Sequence, residues 1–165
     1  MTTNLPPRDA ITFRPCTPED VPFLRHLYAS TREDELRNVF QWTDEQKSVF
    51  LDMQFDAQKK HYDEFYADAD FLVIELEGEP IGRLYIFRDA VVIEIVDIAI
   101  LPAYRGRGIG RVLLEEIIAE GASTKRRVEI YVEHNNPARH LYDRLGFEHI
   151  DTNGVYHRMV WKPAT

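Results

Sequence analysis
The chain has 165 residues, 44% of them hydrophobic and 12% aromatic, with a net charge of −8. That composition excludes a disordered chain and the basic face that nucleic-acid binding needs, and it suits a cationic substrate. Cys16 is the single cysteine, so no internal disulfide or cysteine metal site forms, and a reducing, cytoplasmic home is expected.

No apolar run approaches the ~18 residues of a membrane span. Residues 1–10 lack an apolar signal core and read as a flexible tail ahead of one domain. Ile11 to Arg14 reads as a short strand. Thr17 then caps a helix, with Pro18 in the first turn and Asp20 three residues after the cap. A polar connection is expected from Thr31 to Gln41. Thr43 to Gln46 forms a second capping box, opening a long helix that reaches about Tyr66. Phe71 to Leu76 and Ile81 to Phe87 read as a hairpin around Glu77-Gly78. Val91 to Ile100 is apolar on both faces and therefore a central strand. Gly108 to about Gly121 is a helix, and Arg127 to Glu133 alternates as a strand. Pro137 to Leu145 is a short helix stopped by Gly146, and Val155 to Trp161 is the last strand. The order is βααβββαβα followed by one or two strands, a mixed α/β sheet.

Between the central strand and its helix lies LPAYRGRGIGRVLL. Unpaired N–H groups and the helix dipole attract an anion at such a junction. Gly106, Gly108 and Gly110 let the backbone turn and let an oxygen-rich ligand approach without meeting a Cβ. Arg105, Arg107 and Arg111 add positive charge, so the ligand should carry phosphates. A dinucleotide fingerprint would need glycine at position 111, and the P-loop pattern is absent. Solvated arginines at a helix start are the plain alternative. A second stretch, NNPARHLYDRLGF, places Ala138, Leu141, Tyr142 and Leu145 at three- and four-residue steps on one buried face. Taken alone, Tyr142 reads as a core tyrosine, and Asn135 could equally be a helix cap.

Together, EIVDIAILPAYRGRGIGRVLL and NNPARHLYDRLGF, with VEIYVEH between them, resemble the GNAT superfamily of N-acetyltransferases. Arg105, Gly108 and Gly110 match its R-x-x-G-x-G, and residues 135–147 match its N-x-x-A-x-x-L-Y-x-x-x-G-F. The likeness covers roughly residues 70 to 161. It implies a largely antiparallel sheet of six to seven strands, with a V-shaped splay between two parallel strands and about four flanking helices. It implies acetyl-coenzyme A (acetyl-CoA) as co-substrate. Its pantetheine arm would fill the splay as a pseudo-strand. On this resemblance the Ile98 N–H faces the thioester carbonyl and Ile100 pairs with the arm. Arg105, Gly106, Arg107, Gly108, Ile109 and Gly110 hold the pyrophosphate, and Asn135 lies beside the arm.

Acyl transfer to an amine needs a base, because an ammonium of pKa ~10.4 has no lone pair. Strand alternation places Glu94 on the face of Ile98, and this resembles the position where some family members keep an acidic base. Glu94 is the candidate base, or else the partner of an arginine on a neighbouring strand. Asp97 should point to the other face, as a structural acceptor or reserve base. Tyr142 is the candidate donor to the leaving thiolate. A phenol at ~10 is a weaker acid than a thiol at ~8.5, so a hydrogen bond rather than full proton transfer is its role.

The family builds its acceptor site from the first two helices and their connection. Glu33, in an acidic cluster with Asp34 and Glu35, and Trp42, through its π face, are candidate acceptor contacts. Gln54, Gln58, His61 and Tyr62 fall along the second helix, and Phe50, Met53 and Phe55 read as core. The expected function is acetyl transfer to an amine of a small molecule or protein. A non-catalytic acyl-CoA sensor and a transferase of longer acyl chains are the alternatives. No metal is expected, since none of the six histidines forms an HExxH pattern or pairs with a cysteine. Dimers are common among lookalikes, which suggests a homodimer.

Overall fold
The computed structural model describes residues 5–164. Seven strands form one sheet in the order β1-β2-β3-β4-β5-β7-β6. They are β1 (Ile11–Pro15), β2 (Asp70–Leu76), β3 (Glu79–Arg88), β4 (Val92–Ile100), β5 (Arg127–Glu133), β6 (Glu148–Asn153) and β7 (Tyr156–Trp161). Neighbours pair antiparallel except β4 and β5, which run parallel. The apolar strand β4 lies at the centre, as a strand buried on both faces must. Four helices flank the sheet: α1 (Val21–Arg37), α2 (Asp44–Phe65), α3 (Ile109–Thr124) and α4 (Arg139–Arg144). None of them is long and apolar enough to cross a membrane.

Two cores divide along the faces of the sheet. Ile109, Leu113, Leu114 and Ile117 of α3 and Tyr142 of α4 pack with Ile74, Ile86, Ile93 and Ile95 on one face. Leu24 and Tyr28 of α1 meet Phe55 of α2 on the other. Both capping boxes form. Thr17 and Asp20 cap a 3-10 turn that leads into α1, and Thr43 and Gln46 cap α2.

Three expectations change. The connection expected from Thr31 to Gln41 is helical as far as Arg37. Arg32 pairs with Glu35 and Arg37 with Asp34, each one helical turn apart, and Leu36 is buried, so charge and burial both extend the helix. Of the three side chains read as core on α2, only Phe55 is buried. Met53 is 66% exposed, and Phe50 packs against the exposed Trp42 at 5.2 Å. The expected tail begins with residues 1–4, which lie outside the described residues. Residues 8–10 form a 3-10 turn in which Arg8 reaches Glu116 of α3 through two nitrogens.

Gly121 shows how closely α3 approaches the sheet. A Cβ there would stand 2.9 Å from the Arg126 carbonyl oxygen and 3.0 Å from both Val128 and Trp161. The carbonyl belongs to the turn that closes the helix, where Arg126 N–H donates back to Gly121 O, so it has no room to retreat. Overpacking costs about 1–3 kcal/mol, more than the 0.5–1 kcal/mol that alanine gains over glycine in a helix. Gly121→Ala should therefore lower the melting temperature, by about 2–4 °C per kcal/mol lost, as read by calorimetry.

Candidate active site
The parallel ladder between β4 and β5 runs from Val92↔Arg127 to Ile95↔Ile130 and stops there. Both strands continue, β4 for five residues and β5 for three, so a gap opens inside the sheet. The edge of β4 along this gap has a definite polarity. Leu101 N–H donates to Ile81 O on β3 at 2.8 Å. Alternation then turns the N–H and C=O groups of Ile98 and Ile100 away from β3 and toward the gap. The Ile100 carbonyl accepts from Arg105 Nε at 2.8 Å, which confirms that direction. These are the two residues expected to meet the arm of a coenzyme.

A β-bulge sits at the start of the gap. Tyr85 pairs with Asp97 and Ile86 with Ile95, leaving Val96 without a partner. The extra residue shifts the alternation beyond it. Glu94, opposite Phe87, and Asp97, opposite Tyr85, therefore share one face, that of α1 and α2. Ile98 points to the other face and packs into the α3 core. This reverses the expectation that Glu94 shares a face with Ile98 and that Asp97 opposes Glu94. Plain alternation counts no bulge.

The two carboxylates have different surroundings. Asp97 accepts from Arg83 Nε at 2.6 Å, and Arg83 Nη2 also donates to Gln58 of α2 at 2.8 Å. Asp97 is thus the structural acceptor that was expected. Glu94 belongs to no salt bridge among the described residues, so the reading of it as an arginine's partner does not hold. Its neighbour across the parallel ladder is Glu129, which accepts from Arg127 at 2.6 Å and from Arg158 at 2.8 Å. Burial pushes the Glu129 carboxyl up, but the two guanidiniums more than offset this and hold it below the ordinary range. Glu94 is raised, first by burial and then by the Glu129 charge, while a hydrogen bond from the Tyr66 hydroxyl opposes the rise. One carboxylate held ionised and a second pushed up beside it is how one of a pair becomes a base.

Tyr142 stands on the opposite face, 4% exposed, its ring 5.7 Å from Phe147. Burial raises its hydroxyl, and the charge of Asp97 adds to the rise. The two residues lie on different faces of the sheet and sense each other at the gap.

At the mouth of the gap, Gly106 and Gly108 hold φ of 75° and 84°, the left-handed region, with Gly108 at the N-cap of α3. Val112 N–H donates to Gly108 O at 3.1 Å. The N–H groups just ahead of it precede any intrahelical acceptor. A Cβ on Gly106 would meet nothing within 4 Å, and one on Gly110 would meet only Ile100 at 3.7 Å. The protein leaves open space here, so close packing within the chain does not explain the absence of side chains. Arg107 lies over the Tyr104 ring at 5.1 Å, beside the α3 N-terminus and Ile109, while Arg111 pairs with Glu115 one turn further into the helix. The cradle fits a diphosphate.

Asn135 is exposed in the turn after β5. The capping contact comes from Asn136, whose Oδ1 accepts from Ala138 N–H at 2.9 Å. Glu33 is exposed on α1. Trp42 lines a shallow hollow with Glu45, Gln46, Val49, Phe50 and Met53, none of them from the sheet. Among the described residues, neither candidate acceptor contact makes a hydrogen bond or ion pair with a residue of the gap. A separate cavity of about 280 Å³ lies between α1, α2 and the sheet, with Phe55, Tyr62, Phe71 and Tyr85 in its walls and Arg83 at its edge. Arg83, Tyr66 and Glu129 escaped the sequence reading. The only signal for them was a charge within an otherwise apolar strand and an aromatic one turn past Tyr62.

Comparison with known proteins agrees with this geometry. Residues 25–147 match the acetyltransferase (GNAT) family. A mycothiol acetyltransferase of Corynebacterium glutamicum is 33% identical over 126 residues, 73% of this chain and 41% of that protein. The chain therefore spans less than half the length of that relative. An uncharacterized N-acetyltransferase of Methanocaldococcus jannaschii is 32% identical over 159 residues, 81% of this chain and 69% of that one. Among solved structures, a PaiA N-acetyltransferase from Thermoplasma acidophilum in complex with coenzyme A shares the fold. Its TM-score is 0.67 at 21% identity, over 92% of this chain and 98% of that one. The family match takes in the bulged strand, the glycine–arginine turn and the helix of Tyr142, and by it this chain belongs to the GNAT acetyltransferase family.

Proposed function
We propose that this protein transfers the acetyl group of acetyl-CoA to a primary amine, of a small molecule or a protein, by direct attack within a ternary complex. The observation that carries this reading is the break in the β4–β5 ladder. It lies between an anion cradle at one end and a raised, uncompensated carboxylate at the other. Acetyl-CoA supplies an acyl group activated as a thioester. The N–H groups of residues 106–111, with Arg105, Arg107 and Arg111, hold its diphosphate. The main-chain groups of Ile98 and the Ile100 N–H face the pantetheine arm, and Asn135 lies beside it.

Glu94 takes the proton that the ammonium must lose before nitrogen can attack. The C–N bond then forms as the C–S bond breaks; the nitrogen gives up its second proton, that proton goes to the departing thiolate, and an amide and a thiol leave. The Ile98 N–H faces the carbonyl oxygen as charge develops on it, and one such donor is worth about 3 kcal/mol. The Tyr142 hydroxyl donates to the departing sulfur. Its raised pKa makes full proton transfer unfavourable and leaves the hydrogen bond as its contribution. The test is calorimetric titration with coenzyme A, followed by amine-dependent thiol release. Tyr142→Phe should bind coenzyme A as the parent does and turn over ten- to a hundredfold more slowly. A fully active Phe variant removes Tyr142 from the mechanism, and no uptake of coenzyme A at millimolar concentration removes the function.

A further inference from the structure
The charge balance around Glu94 says what kind of amine the site accepts. Four arginines lie on the Glu94 side of the sheet. Arg32 donates to Glu133 at the end of β5 at 2.9 Å, and Arg83 holds Asp97. Arg127 and Arg158 both hold Glu129. Each guanidinium already faces a carboxylate of the protein, and Arg83 is buried as well. Glu94, by contrast, has no cationic partner among the described residues.

Aromatic side chains share this side of the sheet, and His61 of α2 lies among them, its ring 6.1 Å from that of Tyr66. Tyr66, the residue that follows α2, stands near Glu94, with Tyr62 edge-on behind at 6.1 Å. Tyr131, opposite Arg158, and Tyr156, opposite Glu133, stand 44% exposed on the same face of β5 and β7. Aromatic faces and an unpaired carboxylate favour an ammonium. A second anion on the ligand would meet Glu94, Glu129 and Glu133, while the four arginines on this side are already paired among the described residues, and like charges at such range are discriminated against strongly.

We infer that the acceptor is a cationic amine on an apolar or aromatic stem, with no carboxylate or phosphate beside the reacting nitrogen. This inference rests on the acetyltransferase reading above and fixes the substrate class within it. The experiment compares matched pairs with acetyl-CoA and the intact protein: 2-phenylethylamine with phenylalanine, tryptamine with tryptophan, and isoamylamine with leucine. Phenylalanine methyl ester, which keeps the amine and lacks the carboxylate charge, serves as the control of similar size.

The amines should exceed their amino acids by about 100-fold or more in kcat/KM, and the ester should behave as an amine. Equal rates within each pair, or a preference for the amino acids, overturn the inference and leave the acetyltransferase reading standing. If no acceptor releases thiol, that reading fails, and calorimetry of the same pairs on coenzyme A-loaded protein decides the inference. Tighter binding of the amines sustains it, and equal binding overturns it.

Discussion

Replacing Glu94 with glutamine should lower kcat/KM for the amine by about 10²- to 10⁴-fold, the usual worth of a positioned general base, if Glu94 is the base as proposed. It also removes the acidic limb of the pH profile. In the parent, that limb lies above the ordinary carboxylate range, because burial and the Glu129 charge both disfavour the Glu94 anion. Activity rises as pH climbs through the raised pKa and the base loses its proton. Stability runs the other way. A carboxyl whose folded pKa exceeds its unfolded value of about 4.3 binds more protons in the native state between the two values. Unfolding free energy therefore falls as pH rises through that window, and above it the parent carries the full penalty. Glu94→Gln should be less active yet more stable than the parent at neutral pH, with the stability difference fading below pH ~4. Thermal melts at the two pH values, beside initial rates, test both halves. A Gln variant with parental rates and an unchanged acidic limb would move the base elsewhere on this face.

The sequence made most of the frame legible because its signals are local. Two capping boxes, a hairpin at Glu77-Gly78 and the Gly108 junction each act within a few residues, and the structure keeps all of them. The glycine–arginine turn was readable for the same reason, since an N-cap glycine and adjacent arginines form one contiguous run. The faces of β4 were not. Nothing within VVIEIVDIAI marks Val96 as the extra residue. The bulge is a tertiary event, in which Asp97 turns toward Arg83 on the neighbouring strand. Arg83 itself was hidden in a hairpin strand that reads as apolar, its partner fourteen positions away. Glu94 and Glu129 are 35 residues apart, and only the parallel register brings them side by side. Each misplaced or missed functional residue depends on a pairing across strands, which periodicity within one strand does not contain.

Asp97→Ala should be the most destabilising single change at this site, by about 3–5 kcal/mol. Arg83 is 3% exposed, and among the described residues Asp97 is its one ionic partner. The Gln58 amide would remain, but a neutral acceptor satisfies an N–H without balancing the charge. A guanidinium cannot shed its proton to escape, so the truncation leaves a buried uncompensated cation. At 2–4 °C per kcal/mol the melting temperature falls by about 6–20 °C. The penalty belongs to the orphaned charge rather than to the worth of the pair, and a second variant separates the two. Arg83→Met combined with Asp97→Leu replaces both ions with apolar groups of similar size and should recover most of the loss. If the double variant melts as low as the single, the cost lies in distortion of the bulge rather than in electrostatics. The bulge also aims the Ile98 N–H into the gap, so the two variants separate stability from catalysis. A double variant that regains the parental melting temperature but turns over slowly would show that the Arg83–Asp97 pair sets the direction of Ile98 without being needed to hold the sheet together.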